Sequence, residues 1–226
     1  MAGVTATSER RAHLVTLAGD LFAEKGFRAT TVREIADAAG ILSGSLYHHF
    51  DSKESIADEI LSAFLNDVLG NYRTAVAEAD GPRDAIERIV RSSSGTLARH
   101  RAALTMLQND WAYFSSQPRF GYLRDALHEI ERIWVTQLER GKKAGIFRAD
   151  LDTKLTYRLV RDILWIPVHW QASSAWSPEQ VVDGFLRLLF DGIAVPAARR
   201  AATRPAARRP SATKATTPAR RAGSGR

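Results

Sequence analysis

Two groups of residues in this 226-residue chain have the types and spacing to do chemistry. The first lies in the run TTVREIADAAG, ILSGSLYHHF, DSKE, between Thr30 and Glu54. Ser43, Gly44, Ser45, Tyr47 and His48 follow closely on one another, with Thr31 and Arg33 upstream and Lys53 downstream. Hydroxyls, imidazoles and cationic groups bind phosphates and base edges, and small residues allow close approach. The second group is Arg161, Trp165 and His169, spaced i, i+4, i+8, which places them in one stripe along a helix. A guanidinium suits a phosphate or carboxylate, and an indole offers a flat face to a ring or acyl group. Trp111, Tyr113, Phe114, Phe120 and Trp134 are available to line an adjoining cavity. A structural alternative stands beside this one: the tryptophans belong to the core, and Arg161 pairs with a carboxylate such as Asp110 or Asp162.

Neither group is arranged for covalent chemistry. The chain has no phosphate-cradling glycine loop, no G-x-S-x-G and no H-E-x-x-H. His48 and His49 are adjacent, so on a helix they point about 100° apart and suit joint metal binding poorly. With no cysteine, disulfides and thiolate metal sites are excluded. The expectation is a protein that is not an enzyme, with no cofactor and no metal. No apolar run reaches the length of a membrane span, and the N-terminus lacks a secretory apolar stretch, so a cytoplasmic protein without a membrane partner is expected. The net charge of +7 is unevenly placed: nine of the 32 Lys and Arg lie from Pro196 onward, where there is no Asp or Glu. That leaves 23 basic against 25 acidic residues in the first 195, so the part able to fold is near neutral.

The elements that must position the first group read as short helices. Residues 1–7 are small and expected to lack order; Ser8 and Glu9 can open a helix whose Leu14, Leu17, Ala18, Leu21 and Phe22 form one apolar stripe ending at Gly26. Thr31 with Glu34 three residues on has the spacing of a capping box. Gly40 suits the end of that second helix. The third helix is expected over roughly Ser43 to His49, with Leu46 and Phe50 facing a core and Phe27 closing it with Phe50. Asp51 or Ser52 can cap a long helix running to about Ala79. Breaks at Asp80-Gly81-Pro82 and Ser116-Gln117-Pro118 separate helices from Ile86 to about Arg99, from Ala102 to Phe114, and from Arg119 to about Gly145. Asp150 or Asp152 can cap a helix through Leu155, Leu159, Ile163, Trp165 and Val168, and Ser177-Pro178-Glu179 opens the last, lined by Val182, Phe185, Leu188, Leu189 and Ile193. No segment reads as a strand. Residues 196–226 are mostly Ala, Arg, Pro, Thr and Ser, without a large apolar side chain, and are expected to be disordered.

The run from TTVREIADAAG to DSKE closely resembles the DNA-binding segment of the TetR family of bacterial transcriptional regulators. The preceding LVTLAGDLFAEKGFRATTV resembles that family's first helix and its exit. Many members carry Ser or Thr and then Lys where this chain has Leu42 and Ser43, which leaves the cap of the third helix to Ser43. SQPRFGYL and YRLVRDILWIPVHW, together with ILSGSLYHHF, resemble a narrower group within the family, the repressors of steroid-ring catabolism. The resemblance implies an all-α protein: a three-helix helix-turn-helix domain over 8–54, then a larger ligand-binding and dimerisation domain over 55–195, with about nine helices. It implies a homodimer, paired through the last two helices, on a near-palindromic double-stranded operator. Thr31, Arg33, Ser43, Gly44, Ser45, Tyr47, His48 and Lys53 would touch DNA. It further implies release by a small-molecule effector, a coenzyme A thioester of a steroid-ring catabolite. Arg161, Trp165 and His169 would fall on the ligand, with Trp111, Phe120 and Trp134 alongside. Two rivals remain at this point: a helical enzyme or carrier for acyl thioesters, and a general nucleoid-coating protein dominated by the basic tail.

The tail has its own test. A chain ending at Val195 is expected to fold normally and to show a shallower fall of log affinity for DNA with log salt, because fewer counterions are released. An unchanged slope in binding titrations removes the tail from DNA binding.

Overall fold

The computed structural model describes residues 2–165 and 175–193, with side chains from Ser8 onward. Helix α1 (Ala2–Lys25) buries Leu14, Ala18 and Phe22 along one face. It starts at Ala2, earlier than the expected Ser8: the first residues contain no proline, and the possible cap at Ser8 does not stop the helix from extending back. Helix α2 (Val32–Ala38) opens on the Thr31–Glu34 capping box and stops at Gly40, whose φ of 66° is open to glycine at little steric cost. There the Ile41 amide reaches back to the Ala36 carbonyl at 3.0 Å and turns the chain into α3 (Ser43–Leu46). Helix α3 is shorter than expected. Tyr47 to His49 form turns instead, and the cap is Leu42, not Ser43, with no side-chain hydrogen bond. A leucine has no group to hold the helix start, which leaves α3 to its packing.

Ser52 caps α4 (Lys53–Ala77) reciprocally with Ser55. Helix α4 buries Ile56, Ile60, Leu61, Phe64, Leu65, Val68 and Tyr72 in a stripe along most of its length. Helix α5 (Pro82–Arg99) follows, with Pro82 at its first position. The single helix expected from Ala102 to Phe114 is two, α6 (Arg101–Asn109) and α7 (Trp111–Phe114), broken at Asp110. A 3-10 turn (Pro118–Phe120) leads into α8 (Tyr122–Lys143). Asp152 settles the choice of cap for α9 (Thr153–Trp165), accepting from the Leu155 amide at 2.9 Å. Ser177 and Gln180 cap α10 (Pro178–Ile193) reciprocally. Val168, on the expected continuation of α9, lies outside the described residues.

The described chain is all-α, ten α-helices and one 3-10 turn, without a strand. Helix α1 lies against α6 and α4, α4 against α5 and α8, and α5 against α8, α9 and α10, so one hydrophobic core runs from Leu14 to Ile193. Phe27 and Phe50 are both buried in this core; the Phe27 ring meets Phe22, Tyr113 and Phe114, and the Phe50 ring lies under the Arg11 guanidinium. Among the described residues no helix is long and apolar enough to cross a membrane.

Helix α9 is not a simple amphipathic helix. Its inward side is Thr153, Tyr157 and Val160, while Leu155, Leu159 and Ile163 face out of the protomer. Apolar residues occupy two sides of this helix, and spacing alone cannot tell which side the rest of the chain covers. On α10, similarly, Leu186, Leu189, Phe190 and Ile193 are buried but Leu188 is not.

Gly141 sits where α8 receives the ring of Phe147, and a Cβ there would lie 2.0 Å from that ring. Gly141→Ala is therefore expected to destabilise the fold by about 1–3 kcal/mol, the usual range for overpacking a core. Thermal or urea unfolding equal to the parent would show that Phe147 can move aside.

Candidate nucleic-acid interface and the core behind it

The head of the molecule is held by a few hydrogen bonds at its corners. Thr31 gives its amide to Glu34 Oε2 at 2.8 Å and accepts from the Glu34 amide on its hydroxyl at 3.2 Å. Lys25 Nζ donates to the other Glu34 oxygen at 2.8 Å. These donors, Lys25 first and then Thr31, hold the Glu34 carboxyl at about 2. The Thr31 hydroxyl, a candidate for DNA, thus already serves the α2 cap. Arg33 is different: its side chain is largely in water, with a loose 3.8 Å pairing to Asp37. Gly44, Tyr47 and His48 are exposed, and Ser43 and Ser45 half-buried. Of residues 41–50 only Leu46 and Phe50 are buried.

Lys53, expected on a phosphate, has an internal post. Its ammonium donates to the carbonyls of Phe27 and Thr30, both at 2.8 Å, and stands 4.4 Å above the Phe27 ring. Burial lowers its pKa. The other side of the Phe27 residue is held from elsewhere: its amide donates to Asp110 Oδ2 at 3.2 Å. Beside it the Tyr113 hydroxyl donates to Glu54 Oε1 at 3.0 Å. The turn after α1 is therefore clasped between the start of α4 and the α6–α7 junction. This explains the break at Asp110, whose carboxylate faces the turn. Sequence reasoning missed Phe27, Glu54, Asp110 and Tyr113 as a unit. The interruption of an apolar run by Asp110 was a visible signal, but its partner lies 83 positions away.

The second candidate group is brought together in part. Trp134 is buried with its ring near Tyr72 and Tyr157, at 6.3 and 6.4 Å between centroids. Burial pushes the Tyr157 phenol up to about 12, against the pull of nearby Arg161. The Arg161 guanidinium lies 5.8 Å from the ring centres of both Tyr157 and Trp165. Arg161 also donates twice to Asp162 Oδ1, at 2.9 and 2.7 Å, one of the two carboxylates weighed for it. Trp165 is half-buried, and His169 lies outside the described residues. Trp111 and Phe120 stand elsewhere. They wall a cleft of about 200 Å³ with Ser115, Ser116, Gln117, Pro118, Gly121 and Arg124. Phe120 lies at the foot of α8, and Trp134 is fourteen residues further on, about 20 Å along a helix.

A turn-linked helix pair with a polar outer surface, set on a helical body, defines a helix-turn-helix DNA-binding protein. The chain belongs to the tetR family of bacterial regulatory proteins, whose model matches residues 14–60, while that of a tetracyclin repressor-like C-terminal domain matches residues 79–193. It is 44% identical to the HTH-type transcriptional repressor KstR2 of Rhodococcus jostii RHA1, over 84% of this chain and 93% of that protein. It is 41% identical to KstR2 of Mycobacterium tuberculosis H37Rv, over 82% and 94%. The solved structure of the ketosteroid transcriptional regulator KstR2 of Mycobacterium tuberculosis superposes with a TM-score of 0.79 at 40% identity, over 83% of this chain and 96% of that one. AibR, solved with isovaleryl coenzyme A and operator DNA, shares the fold at 16% identity and a TM-score of 0.71, over 80% and 98%. These relatives are regulators, and the class is that of a DNA-binding regulator, not an enzyme.

The two cationic candidates at the head are expected to separate. Lys53→Met strands the carbonyls of Phe27 and Thr30, and should lower both stability, by about 1–3 kcal/mol, and DNA affinity. Arg33→Ala should lower affinity alone. Unfolding curves and gel shifts on the same preparations check this; a fully stable Lys53→Met would remove the clasp.

Proposed function

We propose that the chain is a homodimeric transcriptional repressor that binds a near-palindromic operator and leaves it when an acyl-CoA, with a steroid-ring catabolite as its acyl part, is bound. The observation that carries this reading is the likeness to KstR2 over most of both chains, with Arg161 and Trp165 beside Tyr157 and Trp134. The Arg161 guanidinium beside the half-buried Trp165 ring suits a ligand that joins an anion to a flat apolar body. Asp162, an exposed neighbour, is a partner that a phosphate can displace.

The pairing surface is read from the outward stripe on α9. Leu155, Leu159 and Ile163 are 54%, 57% and 42% exposed, and Leu188 on α10 is 70% exposed. Full burial of each is worth about 1.5–3 kcal/mol, which favours a second copy on this side. A two-fold dimer presents two heads to successive major grooves, about 34–36 Å apart. Thr31, Arg33, Gly44, Tyr47 and His48 face solvent, with the Thr31 hydroxyl shared with the α2 cap, while Ser43 and Ser45 are half-buried and Lys53 acts through the turn it holds. Ligand favours a dimer shape in which the heads no longer match the grooves, which requires a few kcal/mol of differential affinity. The clasp on Phe27 is the route by which a shift of α6 and α7 reaches the head.

Arg161→Ala is expected to leave operator binding intact and to raise the acyl-CoA concentration needed for release about ten- to a hundredfold, the loss of one charge-assisted contact. Fluorescence anisotropy of a labelled operator titrated with a steroid-ring acyl-CoA measures this. Release at the parent's concentration would refute the assignment of Arg161.

A further inference from the structure

The outer surface of the head carries one residue that hydrogen bonding cannot explain. Leu42 is 81% exposed, immediately before α3. Its backbone is extended, at φ −71° and ψ 143°, and its carbonyl accepts from the Ser45 amide at 2.8 Å. Its side chain closes no core: Ile41 is half-buried beside it, and Leu46, four residues on, is 2% exposed. The side chains at positions 43, 45, 47 and 48 end in hydroxyls or an imidazole, and a Cβ on Gly44 would meet nothing within 4 Å. Over residues 41–48, Leu42 is thus the one large aliphatic side chain left in water.

An isolated exposed leucine is ordinary on a protein surface. This one is placed among the residues read as groove-facing, and that narrows its partner. In the major groove the base edges present hydrogen-bonding atoms and one aliphatic group, the C5-methyl of thymine. Phosphates offer a leucine nothing. The deoxyribose offers apolar surface but no sequence information. We propose that Leu42 packs on a thymine methyl in each operator half-site and makes that position specific for thymine. The proposal rests on the reading of α3 as the helix that faces the groove.

The test uses the full-length protein and an operator selected by it from a random DNA pool. Each thymine is replaced singly by deoxyuridine, which removes only the methyl, and affinity is measured for the parent and for Leu42→Ala. One thymine per half-site is expected to matter to the parent by about three- to tenfold, on the scale of burying one or two methyl-sized groups. The same replacement should leave Leu42→Ala unchanged, and the melting temperature of that variant should equal the parent's. The proposal is overturned if deoxyuridine affects both proteins alike at every position, or if Leu42→Ala binds like the parent. An equal loss by Leu42→Ala on thymine and uracil operators also overturns it, and assigns Leu42 to the sugar backbone or to the start of α3. Failure of the parent to select any DNA would overturn the groove-facing reading itself, and is seen before any variant is made.

Discussion

The backbone of Phe27 is held at both its polar atoms, the amide by Asp110 and the carbonyl by Lys53. This residue is one place where the helix-turn-helix meets the helices behind it. Its ring is buried against Phe22, Phe114 and Tyr113, and Phe114 in turn packs on Phe120. Aromatic contacts of this kind set distance but tolerate sliding, whereas a hydrogen bond between fixed groups sets direction. With both together, the turn after α1 has one position relative to α4 and α7. A second tie holds the foot of α8 to α4, through Tyr122 on the Asp58 carbonyl at 3.3 Å and Arg119 near the Asp58 carboxylate. The head is therefore fastened to the helices behind it by polar groups at several points, set around an apolar middle.

Much of this architecture was legible in the residues. Helix boundaries followed chemistry that acts locally: the Thr31–Glu34 and Ser52 caps, the Gly40 stop and Ser177-Pro178 at the start of the last helix. What the residues did not disclose was distant in sequence or lay in which face of a helix the chain covers. The helix broken at Asp110 needed a partner at Phe27, and the two carbonyls that accept from Lys53 lie 26 and 23 positions away. On α9, Leu155, Leu159 and Ile163 have the spacing of a core stripe and face out. Periodicity marks an apolar side and is silent on what covers it. The ligand candidates show the same limit: Arg161, Trp165 and Trp134 gather around Tyr157, while Trp111 and Phe120 do not join them.

Electrostatics divides along similar lines. The excess positive charge of the chain lies beyond Pro196, and the remainder is slightly acidic. Attraction to DNA from the body of the protein therefore comes from a few placed cations, not from a broad positive field. Arg33 keeps its freedom, since an exposed pairing as loose as that with Asp37 holds little. Lys25 and Lys53 are committed to Glu34 and to backbone carbonyls. Near this surface, charge count overstates what is available to a phosphate.

Residues 41 to 50 anchor themselves with Leu46 and Phe50, which are buried, and with Ile41, half-buried against the core. The remaining positions can be exchanged for other side chains with little effect on folding, and the clasp on Phe27 lies outside the segment altogether. On the proposed function, recognition of a sequence and response to a small molecule are encoded in separable stretches of the gene. A lineage can retarget such a regulator to new promoters by drift in a handful of codons while its sensing half stays intact. An engineer can graft a different reading segment onto the same body for the same reason.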